Sequence, residues 1–256
     1  MIHPTAIVHA GAMLDTSVEV GPYAVIGEHV EIDAGTRIGA HAVITGHTRI
    51  GRDNRFFHFT SIGEAPQDKK YAGEPTRLEI GDRNTVREFC TMNTGTAQDQ
   101  GVTRVGSDNW IMAYVHIAHD CRIGDHTILA NCVQLAGHVH VGDWVILGGF
   151  TGVHQFCHLG AHSMAAIASV IVHDLPPYVM AQGDTAKAHG INTEGLKRRG
   201  FSAAAIKGIR AAYKTLYRSG LTLEEARVAL ETQAAECPEV GMLAEFLSRA
   251  TRGIVR

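Results

Sequence analysis

A six-residue repeat of aliphatic side chains runs through most of this chain of 256 residues and limits the folds that it can adopt. One aliphatic residue stands at every sixth position of the first run, and the same step returns at Ile80 and again from Val105. A period of six fits neither the 3.6-residue turn of an α-helix nor a short alternating strand, and it is typical of a solenoid. The first run consists of Ile2, Val8, Leu14, Val20, Ile26, Ile32, Ile38, Ile44 and Ile50.

Each hexad is expected to supply one short strand and one turn, with the aliphatic side chain pointing inward and Gly, Asn or Asp allowing the turn. Three hexads then close one coil of 18 residues. Successive coils stack about 4.8 Å apart through parallel hydrogen bonds. We therefore predict a mainly β protein with a three-sided parallel β-helix over residues 1–177. A β-sandwich of short strands is the alternative, but it does not keep one register over so many consecutive hexads.

Two stretches leave the repeat, at about residues 63–79 and 93–104. Both are polar, the first contains Pro and Gly, and the second shifts the register of the repeat by one residue. They are predicted to project from the prism as loops. Because the other turns of a solenoid are tight, long loops are where function tends to lie. Surface insertions without a function are the alternative.

The last part of the chain, residues 190–256, changes to helical spacing and is predicted to form a small C-terminal helical domain. Ser202 is a suitable N-cap for its first long helix. Thr222 and Glu225 have the spacing of a capping box that opens the next helix. A third helix is predicted over residues 239–249.

Four basic residues share one face of the helix that begins after Ser202. A charged run of this kind is usually a solvated surface, and a docking surface for an acidic partner is the alternative. The four residues are Lys207, Arg210, Lys214 and Arg218.

Composition excludes several classes of protein. The 23 basic and 26 acidic residues give a formal net charge of −3, so no overall basic field favours nucleic acid. No basic segment followed by an apolar stretch opens the chain, and no run reaches the roughly 18 apolar residues of a membrane span. The five cysteines include no C-x-x-C pair, which suits neither a disulfide framework nor a zinc ribbon. We therefore expect a cytoplasmic protein with no nucleic acid partner and no membrane insertion.

Sixteen histidines are present, and several are crowded between His116 and His162. His119 and Asp120 stand outside the inward aliphatic positions, and a step of 18 from Asp120 reaches His138 on the next coil. These three residues are therefore expected to cluster at one site. A histidine oriented by a carboxylate is a natural general base for a hydroxyl nucleophile. No serine or cysteine triad is evident, so direct transfer without a covalent enzyme intermediate is the simpler expectation.

Other interpretations of the histidines remain open from the residues alone. They could cap turns or pack between subunits. His116, His119 and His138 could instead supply three imidazoles to zinc, as in the trimeric β-helix carbonic anhydrases. A solenoid can also serve as a rigid scaffold without catalysis.

Five segments resemble those of one known family, the UDP-N-acetylglucosamine acyltransferases that start lipid A synthesis. The resemblance covers essentially the whole chain, and a sixth short match is the TRG near its end. The segments are HIAHDC (116–121), LAGHV (135–139), GVHQFC (152–157), QDKKYAGEPTR (67–77) and NTEGLKRRGFS (192–202).

This resemblance implies a homotrimer of left-handed β-helices, each with a C-terminal helical domain and with active sites at the subunit clefts. The implied reaction moves a 3-hydroxyacyl group from acyl carrier protein to the 3-position of UDP-N-acetylglucosamine. No metal and no cofactor are implied, because the acyl group arrives on the phosphopantetheine of acyl carrier protein. The basic helix face at Lys207, Arg210, Lys214 and Arg218 would then dock this acidic donor.

Matching segments also imply roles for single residues. His119 would be the general base, Asp120 would orient it, and the backbone N–H of Gly137 would face the developing oxyanion. His138, Asp68 and Lys70 would hold the sugar, and Gln155 and Arg199 would bind the phosphates. The nucleotide or pantetheine region would be lined by Asn192, Glu194 and Arg198. His116 and His154 also match family positions, with roles that are less defined. The full set implied to bind substrate is Gln67, Asp68, Lys70, His116, His138, His154, Gln155, Asn192, Glu194, Arg198 and Arg199.

Two positions depart from the family pattern. Many relatives have His-Arg where this chain has Asn93-Thr94, which removes two side chains near the cleft. Ile167 stands where a small residue permits a long acyl chain, so we predict an acyl group shorter than the longest that the family uses. The nearest rival is the UDP-glucosamine N-acyltransferase of the same pathway, which normally carries an extra N-terminal domain. Here the repeat begins at Ile2, which favours the O-acyltransferase.

Overall fold

The computed structural model describes residues 1–250 and 252–256. Most strands of the described chain contain two residues, as one short strand for each hexad predicts. In chain order they are β1 (Ile7–Val8), β2 (Met13–Leu14), β3 (Glu19–Val20), β4 (Val25–Ile26), β5 (Val30–Ile32), β6 (Arg37–Ile38), β7 (Val43–Ile44), β8 (His47–Ile50), β9 (Arg55–Phe56), β10 (Ser61–Glu64), β11 (Arg77–Ile80), β12 (Thr85–Val86), β13 (Thr91–Asn93), β14 (Val102–Val105), β15 (Trp110–Ile111), β16 (His116–Ile117), β17 (Arg122–Ile123), β18 (Ile128–Leu129), β19 (Gln134–Leu135), β20 (His140–Val141), β21 (Ile146–Leu147), β22 (Gly152–Val153), β23 (His158–Leu159), β24 (Met164–Ala165), β25 (Val170–Ile171), β26 (Val179–Gln182) and β27 (Lys187–Ile191).

The strands form three sheets, and up to β25 each sheet takes every third strand. Neighbours in a sheet are parallel and one coil apart, as in β16 and β19, where His116 pairs with Gln134. The first sheet runs from β1 to β25, the second from β2 to β23, and the third from β3 to β26 with β27 added antiparallel. The result is a three-sided parallel β-helix. Its corners form three edges, which we name by the sheets they join: edge 1–2, edge 2–3 and edge 3–1.

The repeated aliphatic side chains fill the interior of the prism. Ile44, Ile62, Met92 and Ile117 on successive coils of the first sheet are each 0% exposed. The preceding residue of each two-residue strand points outward, because side chains alternate along a strand. One contiguous apolar column therefore runs along the prism, as the repeat predicts.

A ladder of polar side chains accompanies the apolar column inside edge 2–3. Backbone N–H groups donate from each coil to the side-chain oxygen of the coil before it, at 3.1 Å from Asn54 to Thr36 and 2.9 Å from Asn84 to Asn54. The ladder continues at 2.9 Å from Asn109 to Asn84 and 2.7 Å from Thr127 to Asn109. These buried amides and hydroxyls thereby meet the hydrogen-bonding needs of corner backbone.

The corners use a left-handed backbone conformation that few residues other than glycine adopt. On edge 1–2, φ is 59° at Asp120, 62° at His138 and 65° at Phe156. Hydrogen bonds between coils hold this shape, since His138 N donates to His119 O at 3.0 Å and Phe156 N donates to Gly137 O at 3.2 Å. The side chains at these corners are therefore held in fixed positions on the outside of the prism.

Both projecting loops are shorter than the predicted ranges of 63–79 and 93–104. The strands around the first end at Glu64 and resume at Arg77, and those around the second end at Asn93 and resume at Val102. The loops are therefore residues 65–76 and 94–101. Polar stretches such as Arg77–Ile80 still pair in register with β8 and β14, because strand pairing uses backbone groups and not apolar side chains.

The end of the prism also differs slightly from the prediction. The third sheet continues to Gln182, beyond the predicted limit of 177, and β27 then folds back on β26. The helices follow as α1 (Thr193–Arg198), α2 (Ala203–Arg218), α3 (Leu223–Ala234) and α4 (Gly241–Arg249).

The predicted helix caps are present. Ser202 accepts from Ala205 N at 3.0 Å, and Thr222 forms a capping box with Glu225. The third predicted helix, over residues 239–249, begins instead as a 3-10 turn at Pro238–Val240 that leads into α4. Within the described ranges, no helix is both long enough and apolar enough to cross a membrane.

Candidate active site

Edge 1–2 carries most of the predicted site residues. Both loops leave the prism there, because each connects a strand of the first sheet to a strand of the second. His119 and Asp120 lie at the corner after β16, Gly137 and His138 at the corner after β19, and Gln155 at the corner after β22. Successive corners are one coil apart, so the spacing of 18 residues brings these side chains into one column.

The His119 imidazole is held by the carboxylate of Asp120, with Nδ1 2.9 Å from Oδ2. Asp120 is only 1% exposed, and Thr96 donates to it from its backbone N at 3.0 Å and from its hydroxyl at 2.7 Å. Because a carboxylate only accepts, Nδ1 of His119 carries the proton of the neutral ring. Nε2 of His119 is therefore free to accept a proton.

Opposing influences act on the Asp120 carboxyl. Burial is the largest of them and by itself raises the pKa. Hydrogen bonds from His119 and from the N–H and hydroxyl of Thr96 together outweigh burial, so the pKa of Asp120 lies below its ordinary value. A charged Asp120 can therefore stabilise a protonated His119.

The His119 ring lies directly against Gly137. A Cβ added at Gly137 would stand 2.5 Å from Cε1 and 2.6 Å from Nε2 of His119, so any larger residue would displace the ring. Among the residues that the structure describes, none accepts a hydrogen bond from the Gly137 N–H. A backbone donor beside the free nitrogen of His119 is the arrangement expected for stabilising an oxyanion.

His138 completes the cluster and lies between two carboxylates. Its Nδ1 is 3.1 Å from Oδ2 of Asp99, and its Nε2 is 3.9 Å from Oδ2 of Asp120. The ring stands perpendicular to that of His119, with centroids 5.1 Å apart, and stacks on Phe156 at 4.4 Å. Two imidazoles and two carboxylates thus occupy adjacent coils.

Within the described residues of one chain, His116 does not join His119 and His138 in a three-histidine cluster. His116 is hydrogen-bonded to Thr91 at 2.7 Å, and burial, followed by the nearby His119, lowers its pKa. The group whose ligand atoms lie within 4.8 Å of one another contains Asp120 instead, together with His119 and His138.

Other predicted residues lie on edge 1–2, and in the described part of the chain none of them is hydrogen-bonded to this cluster. In the first loop, Asp68 accepts from Lys70 N at 3.0 Å, and Gln67 and Lys70 are exposed. At the corner after β22, Nδ1 of His154 lies 3.1 Å from the carbonyl oxygen of Gln155, and both side chains are exposed. Their polar groups are thus available to a ligand.

The predicted nucleotide residues lie at edge 2–3 instead. Arg199 donates to the Trp144 carbonyl at 2.8 Å, and its guanidinium lies over the Trp144 ring at 5.2 Å from the centroid. Asn192 donates to the His162 carbonyl at 3.1 Å. Burial, with Arg199 second, lowers the pKa of His162 to about 4. The other two predicted residues of this group, Glu194 and Arg198, are exposed on α1.

Ile167 lies on the third edge, edge 3–1, and is 69% exposed. Within one chain the predicted residues are therefore divided among all three edges. The structure brings together His119, Asp120, Gly137 and His138, and it keeps Ile167 and the residues around Arg199 on separate edges.

A further groove of about 800 Å³ lies between the second sheet and α4. Arg122, His140 and His158 line it from the sheet, and Phe246 lines it from α4. Burial, with His158 second, lowers the pKa of His140 to about 4. None of the predicted site residues lines this groove, so its size alone does not identify the active site.

Thr96 and Asp99 are absent from the sequence-based prediction, although they hold Asp120 and His138. Both belong to the second loop. The length of that loop is the one sequence feature which indicates that its side chains can reach the histidines. The 18-residue period aligns corners on coils, but it gives no register for residues inside a loop. The contacts of a loop with the prism therefore cannot be predicted from the repeat.

Comparison with known proteins agrees with this architecture over the whole chain. A family model described as domain 2 of Udp N-acetylglucosamine O-acyltransferase matches residues 174–255, and a model of bacterial transferase hexapeptide repeats matches residues 16–46 and 103–137. A crystal structure of UDP-N-acetylglucosamine O-acyltransferase from Moraxella catarrhalis superposes with a TM-score of 0.98 at 49% identity, covering 100% of this chain and 99% of that one. The predicted left-handed β-helix with a small helical C-terminal domain is confirmed.

Relatives of known name are closer still in sequence. The chain is 67% identical over 255 residues to the Acyl-[acyl-carrier-protein]--UDP-N-acetylglucosamine O-acyltransferase of Thiobacillus denitrificans. It is 64% identical over 260 residues to the enzyme of the same name from Herminiimonas arsenicoxydans. Each match covers 100% of this chain and 99% of the relative. The chain therefore belongs to the UDP-N-acetylglucosamine O-acyltransferase family.

Proposed function

We propose that this protein transfers a 3-hydroxyacyl group from acyl carrier protein to the 3-hydroxyl of UDP-N-acetylglucosamine, the first step of lipid A biosynthesis. Full-length relatives at 67% and 64% identity carry this donor and acceptor in their names. The observation that carries the mechanism is the hydrogen bond between His119 and the buried Asp120, which leaves Nε2 of His119 free beside Gly137.

His119 is the proposed general base. Nε2 takes the proton of the sugar hydroxyl as its oxygen attacks the carbonyl carbon of the thioester. Asp120 holds the ring in the required tautomer and stabilises the imidazolium that forms, in the way that a buried carboxylate supports the histidine of a catalytic triad. The Gly137 N–H donates to the carbonyl oxygen while that oxygen carries negative charge.

Collapse of the tetrahedral intermediate completes the transfer. The carbon–sulfur bond of the thioester breaks, the pantetheine sulfur leaves as a thiolate, and the imidazolium of His119 returns the proton to it. No cofactor enters this scheme. The buried cysteines are poor candidates for an acyl-enzyme nucleophile, since burial raises the pKa of Cys90 and of Cys121 to about 12.

Substrate contacts are proposed around this centre. His138, Asp68 and Lys70 would hold the sugar from edge 1–2, with Gln155 and Arg199 on the diphosphate. Asn192, Glu194 and Arg198 would line the nucleotide or pantetheine region, where Glu194 and Arg198 are exposed and Asn192 is buried. Nucleotide sugars and acyl carrier protein are found in the cytoplasm, which is where we place the reaction.

The acidic donor protein is proposed to dock on α2. All four basic residues of its predicted face, Lys207, Arg210, Lys214 and Arg218, are exposed. Arg210, Lys214 and Arg218 also line a pocket of about 200 Å³ together with Thr193. A concentrated positive face of this kind raises the rate of encounter with an acidic protein.

A homotrimer is proposed because one prism leaves an apolar edge uncovered and keeps Ile167 on a different edge from His119. Along edge 3–1, Tyr23, His41, Phe59, Phe89 and Tyr114 stack in sequence at centroid distances of 4.8 to 5.4 Å. The four rings other than His41 are 40 to 59% exposed. An exposed apolar column of this length is typical of a subunit interface. Packing prisms around a three-fold axis would cover it and would bring edge 3–1 of one subunit near edge 1–2 of the next.

The test is a transfer assay with purified acyl carrier protein loaded with 3-hydroxyacyl groups, with UDP-N-acetylglucosamine as acceptor and mass analysis of the product. His119→Ala is expected to lower kcat by about 10²–10⁴-fold. Sedimentation should show the same assembly as the wild type. His9→Ala, an exposed imidazole on the first coil, is the matched control. Full activity in His119→Ala would contradict the proposed base.

The same assay separates the alternatives. Transfer to a 3-amino acceptor in preference to the 3-hydroxyl would indicate N-acylation. Stoichiometric zinc in the purified protein, with activity lost on chelation, would favour a metal bound by His119, Asp120 and His138 over the proton transfer proposed here.

A further inference from the structure

Asp99 forms a hydrogen bond with His138 in the candidate active site. It lies in the second loop, and its Oδ2 is 3.1 Å from Nδ1 of His138. The side chain of His138 is 16% exposed and that of Asp99 is 33% exposed, so the contact is partly shielded from water. Asp99 N also donates to Thr96 O at 3.3 Å, and Thr96 in turn donates to Asp120. This bond fixes the position of Asp99 relative to Thr96.

The contact determines which nitrogen of His138 is available to a ligand. A carboxylate accepts and does not donate, so the proton of the neutral ring lies on Nδ1. Nε2 then carries no proton, and it lies 3.9 Å from Oδ2 of Asp120. Stacking on Phe156 at 4.4 Å prevents the ring from turning away. A sugar hydroxyl entering the cluster would therefore find an oriented acceptor at Nε2.

We infer that Asp99 is a positioning residue for the nucleotide sugar, acting through His138 as Asp120 acts through His119. The inference rests on the proposed function. The two imidazoles lie on adjacent coils, His138 standing 19 residues after His119, and each presents Nδ1 to a carboxylate. Their roles differ, because the His119 pair moves a proton whereas the His138 pair orients the acceptor. A second histidine–carboxylate pair therefore serves binding.

The difference between the two roles can be tested by steady-state kinetics. Asp99→Ala removes the acceptor of Nδ1 and allows either tautomer and a wider range of ring orientations. The KM for UDP-N-acetylglucosamine is expected to rise about tenfold, the effect of one charge-assisted hydrogen bond. The kcat and the KM for the acyl donor should change by less than about threefold, because His119 and Asp120 keep their own contacts. Gln100→Ala, the next residue in the same loop, is the matched control.

Two further variants separate positioning from a structural role of the loop. Asp99→Glu keeps a carboxylate on a partly exposed side chain and is expected to recover most of the acceptor affinity. In a double-mutant cycle, Asp99→Ala should have little effect once His138→Ala is present, because the effect of Asp99 passes through that ring.

Each outcome bears on the inference. A KM for the acceptor equal to that of Gln100→Ala would overturn it, as would additive effects of the two substitutions. A fall in kcat with unchanged KM would also overturn it, because Asp99 would then act through the loop on Thr96 and Asp120. If the wild-type protein transfers no acyl group to UDP-N-acetylglucosamine, the proposed function fails, which is distinguishable from failure of this inference.

Discussion

The contact between His119 and Gly137 gives a prediction for a single methyl group. In Gly137→Ala the new Cβ would lie 2.5 Å from Cε1 of His119, closer than real Cβ contacts come, so the imidazole must move. A shift of about 1 Å at a catalytic group can lower the rate about 10²-fold. We expect kcat to fall by that order while the unfolding midpoint changes little, since the ring can swing outward.

Gly152→Ala is the matched control for this substitution. A Cβ at Gly152 would meet no atom within 4 Å, and the residue lies in β22, less than one coil further on. Its transfer rate should be that of the wild type. Equal rates for both variants in the acyl transfer assay would show that the position of the His119 ring is not what Gly137 protects.

The buried polar ladder at edge 2–3 gives a prediction for the stability of the strands it joins. Asn84 is 1% exposed, donates to Gly106 O at 2.9 Å and accepts from Asn109 N at 2.9 Å. Asn84→Ala leaves both backbone groups buried without these partners, at a cost of about 2–4 kcal/mol in the free energy of unfolding. Urea unfolding at fixed protein concentration measures this difference.

Thr16 supplies the comparison for Asn84, because it is exposed on the same edge 2–3 and its side chain bonds to no other group in the described part of the chain. Thr16→Ala should change the free energy of unfolding by less than about 0.5 kcal/mol. If the two variants lost the same stability, the inter-coil hydrogen bonds of Asn84 would not be the cause.

Sequence periodicity predicts the elements of this fold better than it predicts their ends or their loops. Ile117 and Leu135 occupy the same inward position one coil apart because a repeat of aliphatic residues can bury itself in few other ways. Arg77 and Arg104 lie in strands although they belong to polar stretches, since parallel pairing needs backbone groups only. Thr96 reaches Asp120 from a loop whose path no period describes.

The candidate active site is likewise predicted only in part by the periodicity of the sequence. The spacing of 18 residues places Asp120 and His138 on adjacent corners and so predicts their cluster. It does not predict that His116 bonds to Thr91 and stands apart from the cluster. Side-chain rotation at one corner depends on the neighbours that a loop or a subunit supplies, and these are not encoded in the period.

At the scale of the whole molecule, the position of Ile167 gives a prediction that connects the proposed assembly with substrate choice. Ile167 is 69% exposed on edge 3–1, whereas His119 lies on edge 1–2 of the same chain. An acyl chain that starts at His119 can therefore reach Ile167 only where a neighbouring subunit brings its edge 3–1 alongside, as the proposed trimer does. The branched side chain would then occupy the end of the acyl channel and limit its length.

Ile167→Gly should consequently shift the preferred donor toward longer acyl chains. Removing the side chain opens room for several methylene groups, and each buried methylene contributes about 0.8 kcal/mol, or close to fourfold in relative kcat/KM. The measurement is kcat/KM for a ladder of 3-hydroxyacyl carrier proteins, compared in one mixture by mass analysis of the products. Phe150→Gly, another exposed side chain of edge 3–1 one coil earlier, controls for a general loosening of that edge. An unchanged chain-length profile in Ile167→Gly, with the assembly intact by sedimentation, would place the end of the channel elsewhere and leave the acyl chain without a contact to this edge.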